Sequence, residues 1–543
     1  RALVVLNAAW QLWPSNSNRS RRCDQWEYIQ CNQQGFIVSV VPDAGIDATI
    51  PLNVFSAMPF LRRLVLADQL FVHGSITDLS LPPSLRVLDV SGTGVSGSLP
   101  SSIPSLSALA HLDIGGTSLS GSLPSSLSRL TRLTYLNIGA ENITGRVEDL
   151  SWISSLTNLR NLKMSAMSNV VGELSALTFL TTLKGIQSLT ISMVPWTGEL
   201  PETLGILTSL TYLDLSLLLS SQFPRWAMDL TALQYLDVTH SNTLRTGVVP
   251  QDLSRLKQLR CFVARGNGLV GTLPEYWSSL EHLTYLSFQD NFIEGSIPST
   301  FAALTALNTL NLMSNSMDGT IPPVLSTSLN TLLLTDNHFS GVIPPFIGTI
   351  SNLNELDLSM NKFSGAVPSS LTNLSSLMDI KLGSNQLSSG LDVFGKMTWV
   401  FALNVSFNNF THGYSALSSL SRLGMLYLKG NNIKGPFPTF LLELYSLGQL
   451  DISQNSFHGT IPSDISKLER LVSVDLGQNN FYGEIPPALL SLAISNLNLE
   501  HNHLSGSLPP VLRSNELSTL NLQGNELSGS LPNFARWKAP IAT

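Results

Sequence analysis

Four groups of residues in this 543-residue sequence have types and spacings that could do chemistry. Gly92 to Gly97 read GTGVSG, formally a G-x-G-x-x-G loop. A dinucleotide site needs that loop between a buried strand and a long helix. Here the glycines fall at the turn positions of a shorter repeating unit, so no cofactor is expected. His501, Asn502 and His503 offer two imidazoles, but no third ligand is evident nearby, and surface histidines are expected rather than a metal site. Cys23 and Cys31 lie close together in CDQWEYIQC, while Cys261 stands alone. Close pairing serves a disulfide in a secreted protein or half of a metal site; no second Cys/His pair follows at zinc-finger spacing, which favours the disulfide. Finally, Asn18, Asn142, Asn373, Asn404 and Asn409 open N-x-Ser/Thr sequons, the acceptor pattern for glycosylation. Singly these are weak, but with a terminal cysteine pair they point to the secretory pathway and an extracellular or cell-surface setting. No Ser, His and acid grouping can be assembled, so an enzyme is not expected.

Composition narrows the field further. A formal net charge of −7 and a pI near 5.7 give no general attraction to nucleic acid or anionic lipid. Hydrophobic residues make up 43% of the chain and charged residues 12%, yet no apolar run is long enough to span a bilayer. The apolar opening from Ala2 to Trp10 is about half the length a spanning helix needs, and the chain begins at Arg1 rather than Met, which reads as a processed start.

The elements that position these residues come from one repeated unit. Residues 307 to 322 read LNTLNLMSNSMDGTIP, 353 to 368 read LNELDLSMNKFSGAVP, and 517 to 532 read LSTLNLQGNELSGSLP. The shared frame, LxxLxLxxNxLxGxIP, recurs about twenty times from Leu61 to Leu517, mostly at steps of 23 or 24 residues. Its LxL core alternates side chains inward and outward, as a short strand does. The Asn hydrogen-bonds backbone groups where the chain leaves the strand. Gly and Pro then turn the coil, and the spaced leucines after Pro suit a short helical or 3₁₀ segment on the same core. One coil cannot cover its own apolar face, so neighbouring coils must stack. The expected fold is an α/β solenoid of about twenty turns, with parallel β-strands on the concave face and short 3₁₀ or helical segments on the convex face.

The L-x-G-x-I-P ending resembles the plant-specific class of leucine-rich repeats found in receptor-like kinases, receptor-like proteins and polygalacturonase inhibitors. ALVVLNAAWQLWP followed by CDQWEYIQC is similar to that family's N-terminal cap, a helix plus a cysteine pair bracketing a tryptophan, here Trp26. The resemblance implies a leucine-rich-repeat superhelix, a second short sheet formed by the Gly-x-Ile segments, and partners bound along the inner face. The implied function is an extracellular ligand-recognition module for a peptide, protein or glycan, the expected ectodomain of a receptor with a co-receptor or neighbouring surface protein. The alternative is a structural or assembly glycoprotein of a cell surface or matrix. The family's usual C-terminal cysteine pair is missing from LPNFARWKAPIAT.

The repeats divide the chain into expected regions: a cap at 1–35, a solenoid at 36–532, and a tail or truncated cap at 533–543. Within the solenoid, an Asn ladder runs from Asn267 to Asn525, so 259–532 is regular. Residues 36–258 lack it, holding Gln69, Thr93, Thr117, Glu141, Met167, Val194, Leu218 and Ser241 at that position, with spacing of 26 or 27 between 133 and 186. A second irregularity spans 389–415, where Ser389 and His412 replace the frame Gly and Ile-Pro is lost; a hinge or docking loop and plain repeat decay both fit.

Binding residues are expected at the outward positions of xxLxLxx. In turns seven to ten these collect Tyr212, Asp214, Tyr235, Asp237, His240, Arg260, Arg265, Tyr285, Gln289 and Asp290. Tyr and Arg are the types enriched at binding hot spots. Asp357, Asp451 and Asp475 show that Asp in LDL is also a habit of the repeat. On this reading, changing Tyr235 and Arg260 to Ala abolishes binding and leaves the melting temperature nearly unchanged. A second patch, Phe401, Phe407, Tyr427 and Lys429, flanks the irregular turns, where a glycan on Asn404 would share the strip.

Overall fold

The structure is a computed structural model that describes residues 29–34, 36–41, 48–49, 55, 58–69, 72–219, 223–239, 247–508, 517–529 and 541–542. The chain divides into two units, Arg1–Val270 and Gly271–Thr543.

The first unit opens with Ile29–Cys31 antiparallel to Ile37–Val40. Asn32 closes the connecting turn by accepting the N–H groups of Gln34 and Phe36, each at 3.0 Å. Cys31 is held in a disulfide; Cys23, its expected partner, and Asn18 lie outside the described residues. Ile37–Val40 then pairs in parallel with Arg63–Val65, and from there strands of three to five residues repeat in register, His111 beside Tyr135, Leu112 beside Leu136, Asp113 beside Asn137. The central residue of each strand, such as Leu88, Leu112, Leu136 and Leu213, is fully buried, because the strand's two-residue period turns it into the coil. The longer turns between 133 and 186 place their extra residues in nine-residue 3₁₀ segments, Val147–Ser155 and Leu174–Thr182, where other turns carry five, as in Ser125–Arg129.

The second unit repeats the same strand pairing, for example Glu355 beside Asp379 and Leu356 beside Ile380. In most turns Pro stands just before the 3₁₀ segment, as Pro368 does before Ser369–Asn373, where its fixed φ suits the entry and its missing N–H costs nothing. Here the Asn ladder is continuous. Asn385 is buried; its amide faces the carbonyls of Leu358, Leu382 and Gly383 at 2.9, 3.1 and 3.3 Å, and its oxygen accepts the Phe363 N–H at 2.9 Å. The preceding residue takes positive φ, as at Met360, Ser384 and Phe407. Its N–H then reaches the next coil, Met360 to the Gly383 carbonyl at 2.8 Å.

Where the first unit lacks Asn, the coil closes differently. Val72, Ile143 and Val170 donate to carbonyls three residues back, at Gln69, Ala140 and Met167. Thr93 and Thr117 each donate one hydroxyl bond to a carbonyl of their own coil, at 2.6 and 2.7 Å. Met167, Val194 and Leu218 simply pack in the core. Apolar burial thus replaces the polar ladder once the backbone N–H is satisfied within its own turn.

The Gly-x-Ile segments form the expected second sheet as short separate ladders, such as Val72–Ser75 with Gly94–Gly97 in the first unit and Lys434–Pro436 with Ser456–Gly459 in the second. A gap falls at the irregular turns. There the positive-φ glycine comes one residue late, at Gly390 and Gly413, and each glycine leads straight into a helical segment, Leu391–Phe394 and Tyr414–Ser419. The pairing slips between Gly365 and Ala366 to absorb the shift.

Candidate functional site

In the first unit, Tyr212 and Tyr235 occupy matching positions on neighbouring strands, with Asp214 and Asp237 two residues on. Their rings stack at 4.2 Å with an interplanar angle of 8°. Such contact across 23 residues of sequence follows from parallel register, which puts equivalent side chains one strand apart. Each aspartate spends one oxygen on its own turn: Asp214 accepts the Ser216 N–H at 2.9 Å and Asp237 the Thr239 N–H at 2.8 Å. The other Asp237 oxygen accepts the Tyr235 hydroxyl at 3.3 Å. Burial pushes both the Asp237 carboxyl and the Tyr235 hydroxyl above their ordinary pKa values. No Lys or Arg pairs with either aspartate among the described residues. Cys261 follows on the next strand; burial and Asp237 push its thiol up to about 12, so it is not a thiolate near neutral pH.

The other residues of the favoured patch belong to one unit or the other. Arg260 and Arg265 are exposed, and Arg260 precedes the strand Cys261–Val263, so Cys261 and Val263 take the sheet-face positions. His240 lies outside the described residues. Tyr285, Gln289 and Asp290 belong to the second unit: Tyr285 is half-buried, Gln289 accepts the Asn311 amide at 3.1 Å, and Asp290 is exposed at positive φ.

The second candidate patch lies wholly in the second unit. Phe401 precedes its strand and its ring covers Gly424, leaving no room there for a Cβ. Phe407 is exposed at positive φ, with Lys429 at 5.9 Å from its ring centre. Tyr427 lies beside Asn404 in register and donates to Gln449. The Asn404 oxygen accepts the Ser406 N–H at 3.0 Å, the turn-closing role aspartate plays elsewhere. Asn142, Asn373 and Asn409 are exposed.

A cluster the sequence reading passed over sits nearer the start of the first unit. His111 stacks on Tyr135 at 4.1 Å, Tyr135 donates to Asp113 at 2.9 Å, and Lys163 stands 5.9 Å from the Tyr135 ring. Asp89, His111 and Asp113 bring ligand atoms within 4.8 Å of one another. Burial lowers the His111 pKa and raises that of Asp113. The signal was present, since these residues hold the same outward frame positions as Tyr212 and Asp214.

Asp113 gives a pH prediction. Its folded-state pKa lies above the usual 3.8 because burial disfavours the charge. The folded chain therefore holds that proton more tightly than the unfolded one, and this group's contribution to stability is present at low pH and lost as pH rises through the folded value. Asp113→Asn, which keeps an oxygen for the Gly115 N–H bonded at 2.9 Å, is expected to melt above the wild type at pH 7. The difference should shrink towards pH 4; thermal melts that differ equally at both pH values would contradict it.

A stack of short parallel strands, each followed by a turn and most by a 3₁₀ segment, defines a leucine-rich-repeat protein. The family model described as Leucine-rich repeat region matches residues 43–193, and the one described as Leucine Rich Repeat matches 282–304, 328–350, 352–374, 446–468 and 493–515. This chain belongs to the leucine-rich-repeat family and is of the plant type. Among solved structures it is similar to the Arabidopsis receptor kinase HAESA, in complex with the peptide hormone IDA and the co-receptor SERK1, at 26% identity over 98% of this chain and 94% of that one, TM-score 0.76. It is similar also to the plant peptide hormone receptor RGFR1 in complex with RGF2, at 26% identity over 94% and 89%, TM-score 0.71. The ectodomain of GASSHO1/SCHENGEN3 from Arabidopsis thaliana shares the fold at 24% identity over 98% and 70%, TM-score 0.75. No curated protein matches the sequence. No described helix is long and apolar enough to cross a membrane.

Proposed function

We propose that the chain is an extracellular recognition module of a receptor, that it catalyses nothing, and that the sheet face of its first unit binds a peptide presenting a cationic side chain. The observation that carries this reading is the stacked Tyr212–Tyr235 pair beside two aspartates without a cationic partner among the described residues. Tyrosine faces attract a cation, and a desolvated carboxylate pairs with one more strongly than an exposed carboxylate does. The likeness to plant receptors solved with peptide hormones supports the ligand class. The disulfide at Cys31 and the exposed sequons support the location outside the cell.

A synthetic library of short peptides, screened against the immobilised chain, should return saturable binders enriched in Lys or Arg. A library with no binder, or binders with no basic preference, would overturn the reading in favour of the assembly-glycoprotein alternative.

A further inference from the structure

We propose that the flank of the first unit carries a second ligand site, an open trough walled by Arg86, Arg132 and Arg160 that takes a carboxylate-rich oligosaccharide. The trough is formed by the residue that precedes each strand. Arg86, Ala110, Thr134 and Arg160 follow one another on successive turns, joined by backbone bonds of 2.8 Å from each N–H to the preceding carbonyl. At about 4.8 Å per strand, Arg86 and Arg160 stand about 14 Å apart along the stack. Two long cationic side chains thus enclose two short ones, and Ala108 deepens the floor. The result is a cavity of ≈ 400 Å³ in which every charged lining residue is an arginine.

Two features mark it as more than scattered surface charge. Arg160 is seated: its Nη1 donates to the Gly185 carbonyl at 2.8 Å, and a side chain at position 185 would collide with that same nitrogen. Arg86 and Arg132 have no hydrogen-bond or ion-pair partner for their guanidinium groups among the described residues. Three cationic groups gathered with no acidic residue in the lining among the described residues, in a chain of net charge −7, raise the local potential for an anion.

The lining also narrows the class of ligand. Guanidinium groups match carboxylates, as they do phosphates, in paired hydrogen bonds. Peptides, however, draw their affinity mainly from apolar or aromatic side chains set in pockets, and this trough has no large apolar lining residue. A uronate chain needs none. Its carboxylates recur along a hydroxyl-rich backbone, and Thr134 offers that backbone a hydroxyl.

Binding of a de-esterified oligogalacturonide to the whole chain, measured by calorimetry at low and raised salt, tests the site. The expected result is saturable binding that weakens with salt and falls about tenfold or more in Arg86→Gln/Arg132→Gln. That variant should melt as the wild type does, because both side chains are exposed and unpaired. It should also keep any peptide bound at Tyr212 and Tyr235, so this proposal and the peptide reading fail separately. No binding, equal binding of the fully methyl-esterified oligomer, equal binding of poly-glutamate, or no effect of the variant would each overturn it.

Discussion

Asn385→Ala is expected to destabilise the second unit by about 3 kcal/mol, a large loss for one side chain. The substitution removes the acceptor of the buried Phe363 N–H and the donor shared by the carbonyls of Leu358, Leu382 and Gly383. Water cannot replace these bonds inside a packed coil, so each abandoned group bears its desolvation cost. Thr117→Val is the matched control in the first unit. Thr117 makes one such bond, to the Ile114 carbonyl, and its loss should cost about 1 kcal/mol. Denaturant unfolding of the two variants decides the matter: if Asn385→Ala costs no more than Thr117→Val, the ladder does not stabilise the coil as described.

Tyr212→Ala/Tyr235→Ala is expected to weaken peptide binding by about a hundredfold, the scale of two aromatic hot-spot residues. The structure also alters what should happen to stability. Tyr235, read from sequence as an outward residue whose loss leaves the melting temperature nearly unchanged, is half-buried against Tyr212 and bonded to Asp237. Its truncation should therefore lower the melting temperature by a few degrees. Tyr235→Phe separates the effects, since it keeps the stack and removes only the hydroxyl. Calorimetry with a library-derived peptide should find at least half the binding free energy change absent in Tyr235→Phe; full loss in that variant would mean that the hydroxyl, not the aromatic face, makes the contact.

Much of the architecture was legible because the repeat states it many times over. The LxL core gave the strands and their buried centres, and the Asn run read from Asn267 to Asn525 marked the ladder, whose side-chain bonds to backbone run from Asn291 to Asn525. The 26- and 27-residue spacings revealed extra chain but not its form; that it lengthens the 3₁₀ segments depends on Leu150, Ile153, Leu177 and Leu180 finding the core. Sequence spacing also hid the positive-φ residue before each ladder Asn, whose backbone is set by a bond to the following coil rather than by its own type, so that even Phe407 adopts it. Contacts across turns were the least visible. Tyr212 meets Tyr235, and Arg86 joins Arg132 and Arg160, only once the register is fixed. In both candidate patches, membership of the frame did not ensure membership of a site: Arg260 and Phe401 stand one residue ahead of their strands.

The ladder of the second unit also has a grain. The Ile293 N–H is satisfied by Asn315, Met317 by Asn337, Phe339 by Asn361 and Phe457 by Asn479, always by the turn that follows. Detaching an earlier turn takes away one carbonyl, and the Asn amide it leaves behind still has two others in its own turn. Detaching a later turn takes the Asn oxygen from an inward-facing N–H and leaves that donor to water. The two edges of any stack of these coils are therefore unequal: one sheds turns with its Asn amides still partnered, while the other is left with a bare donor that the next repeat satisfies.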